Sequence, residues 1–271
     1  MKPAWSFDPQ TTTLTSRTPL DTQSFDAWRT RTGRGVKVAV IDSGIDANHP
    51  AIAGHVSGWA EPVEREGGLD YRTDPHDDSC GHGTACAGII RSIAPDADLL
   101  SVRVLGTEMS GTGLHFAAGL HWAIEQGAQV INLSLGTTKR DFYAVLHELA
   151  DTAYFKRIIL VAAANNLAVA SYPALYASVI SVACQDDPNP EHYGYNPDPP
   201  VEFSAPGIDV RVAWRGGSYV RGTGNSYAAP HITGLIARML EAWPDLTPFQ
   251  VKTLLRASAW NVRQRSHAEQ D

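Results

Sequence analysis

Ser226 stands in residues 222–231, GTGNSYAAPH, where a glycine-rich turn runs into an apolar repeat. Ala228, Ala229, Ile232, Leu235, Ile236, Met239 and Leu240 recur at spacings of mostly three and four, the period of a buried helix. The serine therefore falls in the first helical turn, where backbone N–H groups lack partners and the helix dipole is positive. A hydroxyl there can share its surroundings with a developing oxyanion. Two other groups belong with it. Asp42 closes the β-branched run 36–41, and His82 opens the small-residue run 81–90. A serine hydroxyl becomes a useful nucleophile when an imidazole takes its proton, and the imidazole needs a carboxylate to hold its tautomer. Asn166, at the end of the apolar run 158–164, is placed to offer an amide to the oxyanion. Each residue also has a plainer reading: Ser226 as an N-cap, Asp42 capping a turn, His82 as a satisfied core histidine, Asn166 as a turn residue. All four plainer readings must hold together for the chemistry to vanish.

Elements that would position these groups follow from the pattern. Residues 36–41, 99–104, 130–135, 158–163 and 179–183 are short, continuous apolar runs, as expected for strands buried in a parallel sheet. Helical patterns at 81–90, 114–126 and 142–154 alternate with them, and the Ser226 helix and a Thr247-capped helix (247–257) follow. Residues 61–79 read as an acidic surface loop and 185–200 as an irregular, proline-rich one; 201–203, 209–214 and 219–221 read as short late strands, the last two a hairpin. A short helical turn is expected at 25–28. Alternation of strand and helix predicts a doubly wound α/β fold with the strand ends as the place for a site.

Composition narrows the function. A chain of 271 residues, 43% hydrophobic, can bury a large core in one domain, and its net charge of -7 offers nothing to nucleic acid. The longest apolar run is too short to span a bilayer. Cys80, Cys86 and Cys184 show no metal-ligand spacing, which favours a reducing compartment. The opening residues lack the apolar core of a secretory signal, so a cytoplasmic location is the expectation if Met1 is the native start.

The stretches VAVIDSGID around Asp42, GHGTACAG around His82, AAANN ending in Asn166 and GTGNSYAAPH around Ser226 together resemble the subtilisin-like serine protease (subtilase) family. They occur in that family's order, Asp, His, Ser, for which subtilisin is the reference case. The resemblance covers roughly residues 35–258 and implies an α/β, three-layer fold: a mainly parallel seven-stranded sheet with helices on both faces. Residues 1–34, rich in Thr, Pro and polar residues, read as an N-terminal arm and 261–271 as a polar tail, which leaves 35–260 as the catalytic domain. The implied activity is a serine endopeptidase acting on peptides or proteins, with an acyl-enzyme on Ser226, His82 as base, Asp42 as orienter and Asn166 as oxyanion donor. Counting from the three alanines favours Asn166 over Asn165 as that donor. Ser134, Leu135 and Gly136 match the segment lining the first substrate pocket, with Ser171 near its floor and Tyr172-Pro173 as its far wall. Ser110 and Gly111 match the edge that pairs with an extended substrate.

Departures from the family pattern matter too. Asn225 replaces the usual threonine before the serine and is expected to add an amide near the oxyanion. Cys86 resembles the thiol that some subtilases carry behind the histidine; a small buried hydrophobe is the plainer reading. Ala51 stands where an aspartate calcium ligand is usual, and the chain between His82 and Ala94 is short by about one calcium loop. No metal or cofactor is therefore expected. Selective processing of a precursor peptide is the favoured role, with a non-catalytic peptide-binding scaffold and an esterase as alternatives.

Overall fold

The computed structural model describes residues 26–263. Expectations about the rest of the arm and the end of the tail lie outside the described residues. A nine-stranded sheet forms the centre. Strands β1 (Lys37–Asp42), β2 (Val56–Arg65), β4 (Asp98–Arg103), β5 (Val130–Leu133), β6 (Ile159–Ala163), β7 (Ile180–Gln185) and β9 (Phe203–Pro206) run parallel, in the spatial order β2-β4-β1-β5-β6-β7-β9. Seven parallel strands are the number the resemblance implies, although β2 is not among the runs read as strands from the sequence. Each edge carries one further antiparallel strand, β3 (Gly68–Arg72) beside β2 and β8 (Gly194–Tyr195) beside β9.

Side-chain alternation along the strands builds the layers. Val38 and Val40 of β1 enter one apolar cluster, whereas Ala39 and Ile41 enter a second. Ile159 and Val161 of β6 join the first, Leu160 and Ala162 the second. Val38–Ile41 of β1 and Ile159–Ala163 of β6 are apolar throughout, as burial on both faces requires. The first cluster is completed by α1 (His82–Ile93), α4 (Asn225–Ala242) and α5 (Pro248–Ser258); the second by α2 (Gly113–Glu125) and α3 (Tyr143–Phe155). A separate hairpin of β10 (Val210–Trp214) and β11 (Ser218–Gly222) packs its Val212 on Ala85 and Ile89 of α1.

Three expectations need correction. Residues 61–79 are not merely a loop: β2 and β3 form a hairpin there, pairing Glu61 with Arg72 and Arg65 with Gly68. Only alternate residues of β3 are partly covered, so its sequence reads as polar. The proline-rich segment likewise contains β8. The helical turn expected at 25–28 is a 3-10 turn at Ala27–Thr30; its Trp28 is wholly buried. Just after it, the Glu241 carboxylate accepts the N–H groups of Thr32, Gly33 and Arg34 at 2.7–3.0 Å, fastening this segment to α4. No helix among the described residues is long and apolar enough to cross a membrane.

β4, β1 and β5 are neighbours, and the chain leaves β1 toward one side and later returns on the other. Ligands in such sheets bind at the carboxyl ends of the strands where the winding reverses. Asp42, Ser134 and Asn166 lie at or just past the carboxyl ends of β1, β5 and β6.

Candidate active site

Asp42 ends β1 with its side chain fully buried. Both its carboxylate oxygens lie 2.9 Å from Nδ1 of His82, the first residue of α1. The close approach depends on Gly83. A Cβ there would overlap the Gly44 carbonyl and lie 3.2 Å from the Asp42 Cβ, so only glycine lets α1 press onto the turn after β1. Burial disfavours the imidazolium, but the charge and hydrogen bond of Asp42, helped by Asp78, outweigh it and raise the His82 pKa above the ordinary 6.5.

Asp78 was not anticipated; it fell in the segment read as surface loop. It is buried, and its Oδ1 accepts the Ser43 hydroxyl at 2.7 Å and the N–H groups of Cys80 and Gly81 at 3.0 and 2.7 Å. Its Oδ2 accepts the N–H and hydroxyl of Thr84 at 2.8 and 2.6 Å. Ser43 in turn accepts the Gly83 N–H at 3.0 Å. A carboxylate at this end of α1 satisfies first-turn donors and complements the helix dipole. The signal in the sequence was an aspartate four residues before a helix-opening histidine.

Ser226 lies in the first turn of α4, as its spacing predicted. Pro230 has no N–H to bond the Ser226 carbonyl four residues earlier. That carbonyl is instead taken by the Ser134 hydroxyl at 2.7 Å and the Cys86 thiol at 3.6 Å. Ser134 also accepts from Asn132 at 3.0 Å, and Asn132 accepts from Thr233 at 3.0 Å, so β5 and α4 are cross-tied beneath the serine. The Tyr227 ring packs on His82 with centroids 5.6 Å apart. Side-chain hydrogen bonds of the His82 ring run through Nδ1, and none joins Nε2 to the Ser226 hydroxyl. Such bonds are often open without substrate.

Asn166 and Ser226 converge on Gly224. A Cβ at Gly224 would stand 3.3 Å from the Ser226 Oγ and 3.5 Å from the Asn166 Nδ2. Because the Asn166 Oδ1 accepts the Asn225 N–H at 2.9 Å, the amide is oriented with its Nδ2 as the remaining donor. Asn165 instead closes its own turn, its Oδ1 accepting the Leu167 N–H at 2.8 Å. The expectation that Asn225 adds an amide to the oxyanion is corrected: its Nδ2 donates to the carbonyls of Ala164 and Asn165, both at 3.1 Å.

Of the expected substrate-contacting residues, Ser110, Gly111, Ser134, Leu135 and Gly136 line one cavity of about 340 Å³. Ser171 is buried on the far side of Gly136, its Oγ 3.6 Å from where a Gly136 Cβ would sit. Thr137 and Tyr172 exchange backbone hydrogen bonds at 2.9 Å, holding the two segments together. The Ser110 carbonyl accepts the Gly106 N–H at 2.9 Å, and Thr112 beyond it is extended. A larger cavity, about 700 Å³ between α1, the β10–β11 hairpin and residues 186–190, contains none of these residues.

Among the described residues, Asp42, His82 and Cys86 form a group whose ligand atoms lie within 4.8 Å of one another. Asp42 and His82 are already engaged with each other. Burial, with Asp42 next to it, holds the Cys86 thiol well above its usual pKa, so it is protonated and a poor metal ligand. Cys86 is wholly buried behind the site, its Sγ 3.9 Å from the Asp42 Oδ2.

A sequence model of the Subtilase family matches residues 33–270. Subtilisin E of Bacillus subtilis (strain 168) is 35% identical over 243 residues, covering 84% of this chain and 61% of that protein. Thermitase of Thermoactinomyces vulgaris is 34% identical over 229 residues, covering 80% of this chain and 79% of that one. The crystal structure of a cold adapted subtilisin-like serine proteinase superposes with a TM-score of 0.69 at 26% identity, covering 86% of this chain and 87% of that one. The chain spans about three fifths of the length of several curated relatives that it matches.

Proposed function

The chain belongs to the subtilase family, and on that premise we propose that it is a serine endopeptidase with Ser226 as nucleophile. His82 takes the Ser226 proton as the hydroxyl attacks the peptide carbonyl, and Asp42 holds the imidazole and stabilises its charged form. Asn166 Nδ2 and the Ser226 N–H receive the oxyanion. His82 then gives its proton to the leaving amine, and water admitted by the same base hydrolyses the acyl-enzyme. The observation that carries this reading is the buried Asp42 with both oxygens 2.9 Å from His82 Nδ1. That pairing commits Nδ1 as donor and leaves Nε2, on the opposite edge of the ring, as the base.

Substrates are peptides or proteins bound extended along the 110–112 segment, with side chains entering the cavity at 134–136. A cytoplasmic setting is proposed on three free cysteines, one of them fully buried. Selective cleavage of a precursor follows as the favoured role, because a broadly active endopeptidase there would attack its neighbours. The alternative is a non-catalytic peptide-binding protein that retains the fold. Labelling with a fluorophosphonate separates the two. Loss of label in Ser226→Ala alone is the expected result; a folded wild type that takes no label would select the binding protein.

A further inference from the structure

We propose that Asn225 is the positioning residue of the oxyanion amide, holding the Asn166 loop against the start of α4; this rests on the roles just given to Ser226 and Asn166. Residues 166–170 are all exposed, so packing does little to fix the Asn166 side chain. Its place is set by hydrogen bonds, and Asn225 supplies them from both its main chain and its side chain. The Asn225 N–H donates to the Asn166 Oδ1 at 2.9 Å. The two Nδ2 hydrogens of Asn225 go to the carbonyls of Ala164 and Asn165, each at 3.1 Å. Its Oδ1 accepts the Cys184 N–H at 2.8 Å, which fastens the same side chain to β7.

The clamp is therefore reciprocal. The backbone of 225 grips the side chain of 166, while the side chain of 225 grips the backbone of 164–165. Two carbonyls on one side and an N–H on the other admit one orientation of the Asn225 amide. A primary amide of this length meets all three partners. A hydroxyl has one hydrogen to donate, and a carboxylate would set oxygen against two carbonyl oxygens. Because Asn225 adjoins Ser226, the distance from nucleophile to oxyanion donor is fixed by one residue.

A double-mutant cycle of Asn225→Ala and Asn166→Ala decides the point, with kcat and KM read on a chromogenic peptide anilide and folding read by thermal melting. In subtilisin, a relative, losing one oxyanion donor lowers kcat by about 10²- to 10³-fold; Asn166→Ala is taken to do the same here. Asn225→Ala is expected to lower kcat roughly 10-fold or more with KM changed less than about 3-fold, since the donor acts on the transition state. In the Asn166→Ala background the same change should lower kcat less than about 3-fold, because there is no amide left to position. An equal loss in both backgrounds, or a loss confined to KM, overturns the proposal. The isosteric Asn225→Asp carries the same cycle if the alanine variant does not fold, and a chain that folds with neither marks a purely structural residue and also overturns it. Fluorophosphonate labelling of the wild type keeps the two claims apart: an unlabelled wild type sinks the Ser226 reading, whereas a labelled wild type with additive losses sinks only the Asn225 role.

Discussion

Protonation of His82 decides when the proposed chemistry can run, because only the neutral imidazole accepts the Ser226 proton. Burial alone would lower its pKa; Asp42 reverses that and, with Asp78, raises it above 6.5. The acid limb of kcat/KM is therefore expected above pH 6.5, where a lone imidazole would place it. Asp42→Asn removes the charge that raises the pKa and presents the wrong partner to Nδ1. It should lower kcat by about 10⁴-fold and move the limb to lower pH. A pH profile unchanged by that substitution would show that some other group sets the limb. Asp78 acts more weakly and through space, so Asp78→Asn should move the limb down by less, while also loosening the first turn of α1.

Gly83 shows how the elements carry the site. A methyl group there meets the Gly44 carbonyl and crowds Asp42, so α1 must lift from β1. Gly83→Ala should cost about 1–3 kcal/mol, as overpacking does, and lower kcat as His82 leaves Asp42; urea midpoints and kinetics measured together check both. The groove gives a second expectation. Its cavity is walled by Val104, Leu105, Met109, Phe116 and Leu135, and Lys139 is the charged side chain among its lining residues. Apolar side chains should be preferred there, and a peptide library cleaved only after Arg or Lys would contradict it. Legibility followed burial pattern. β6 and the 38–41 stretch of β1, apolar throughout, could be read directly, and so could α4 from its spacing. The β2–β3 hairpin could not, because β3 covers only alternate residues at the sheet edge and its charges read as loop. Asp42, His82, Ser226 and Asn166 were legible because each ends or opens a strongly patterned element. Asp78 and the true partners of Asn225 were not. Asp78 stands in a charged segment that reads as loop although its bonds to Cys80, Gly81 and Thr84 are local. The side-chain bonds of Asn225 join segments 41 to 61 residues apart, which no local pattern records.

For the whole molecule, histidines pull stability in opposite directions as pH changes. His231 is buried, its Nδ1 bonded to the Tyr227 carbonyl at 2.9 Å, and burial lowers its pKa to about 4. The unfolded chain therefore binds the extra proton first, and stability is lost as pH falls from 6.5 to about 4. A shift of that size is worth about 3 kcal/mol, a sizeable share of the 5–15 kcal/mol typical of a domain. His76, lowered to about 4 by burial and by Arg103, adds in the same sense, with solvent access weakening its share. His82 does the reverse. Its raised pKa gives stability that is fully present below 6.5 and lost as pH rises through the folded value. Glu61 and Glu241, whose pKa values are lowered from 4.5, contribute stability that is lost only as pH falls below that value. Between these limits the molecule should be most stable near pH 6.5, on the acid side of its activity optimum, because the protonation of His82 that stabilises the fold also disables the base. Urea midpoints across pH 4 to 9 in the Ser226→Ala background, which removes self-cleavage, test this. Asp42→Asn should flatten the alkaline decline and His231→Gln the acid one; a stability maximum that coincides with the activity optimum would show that His82 does not couple the two.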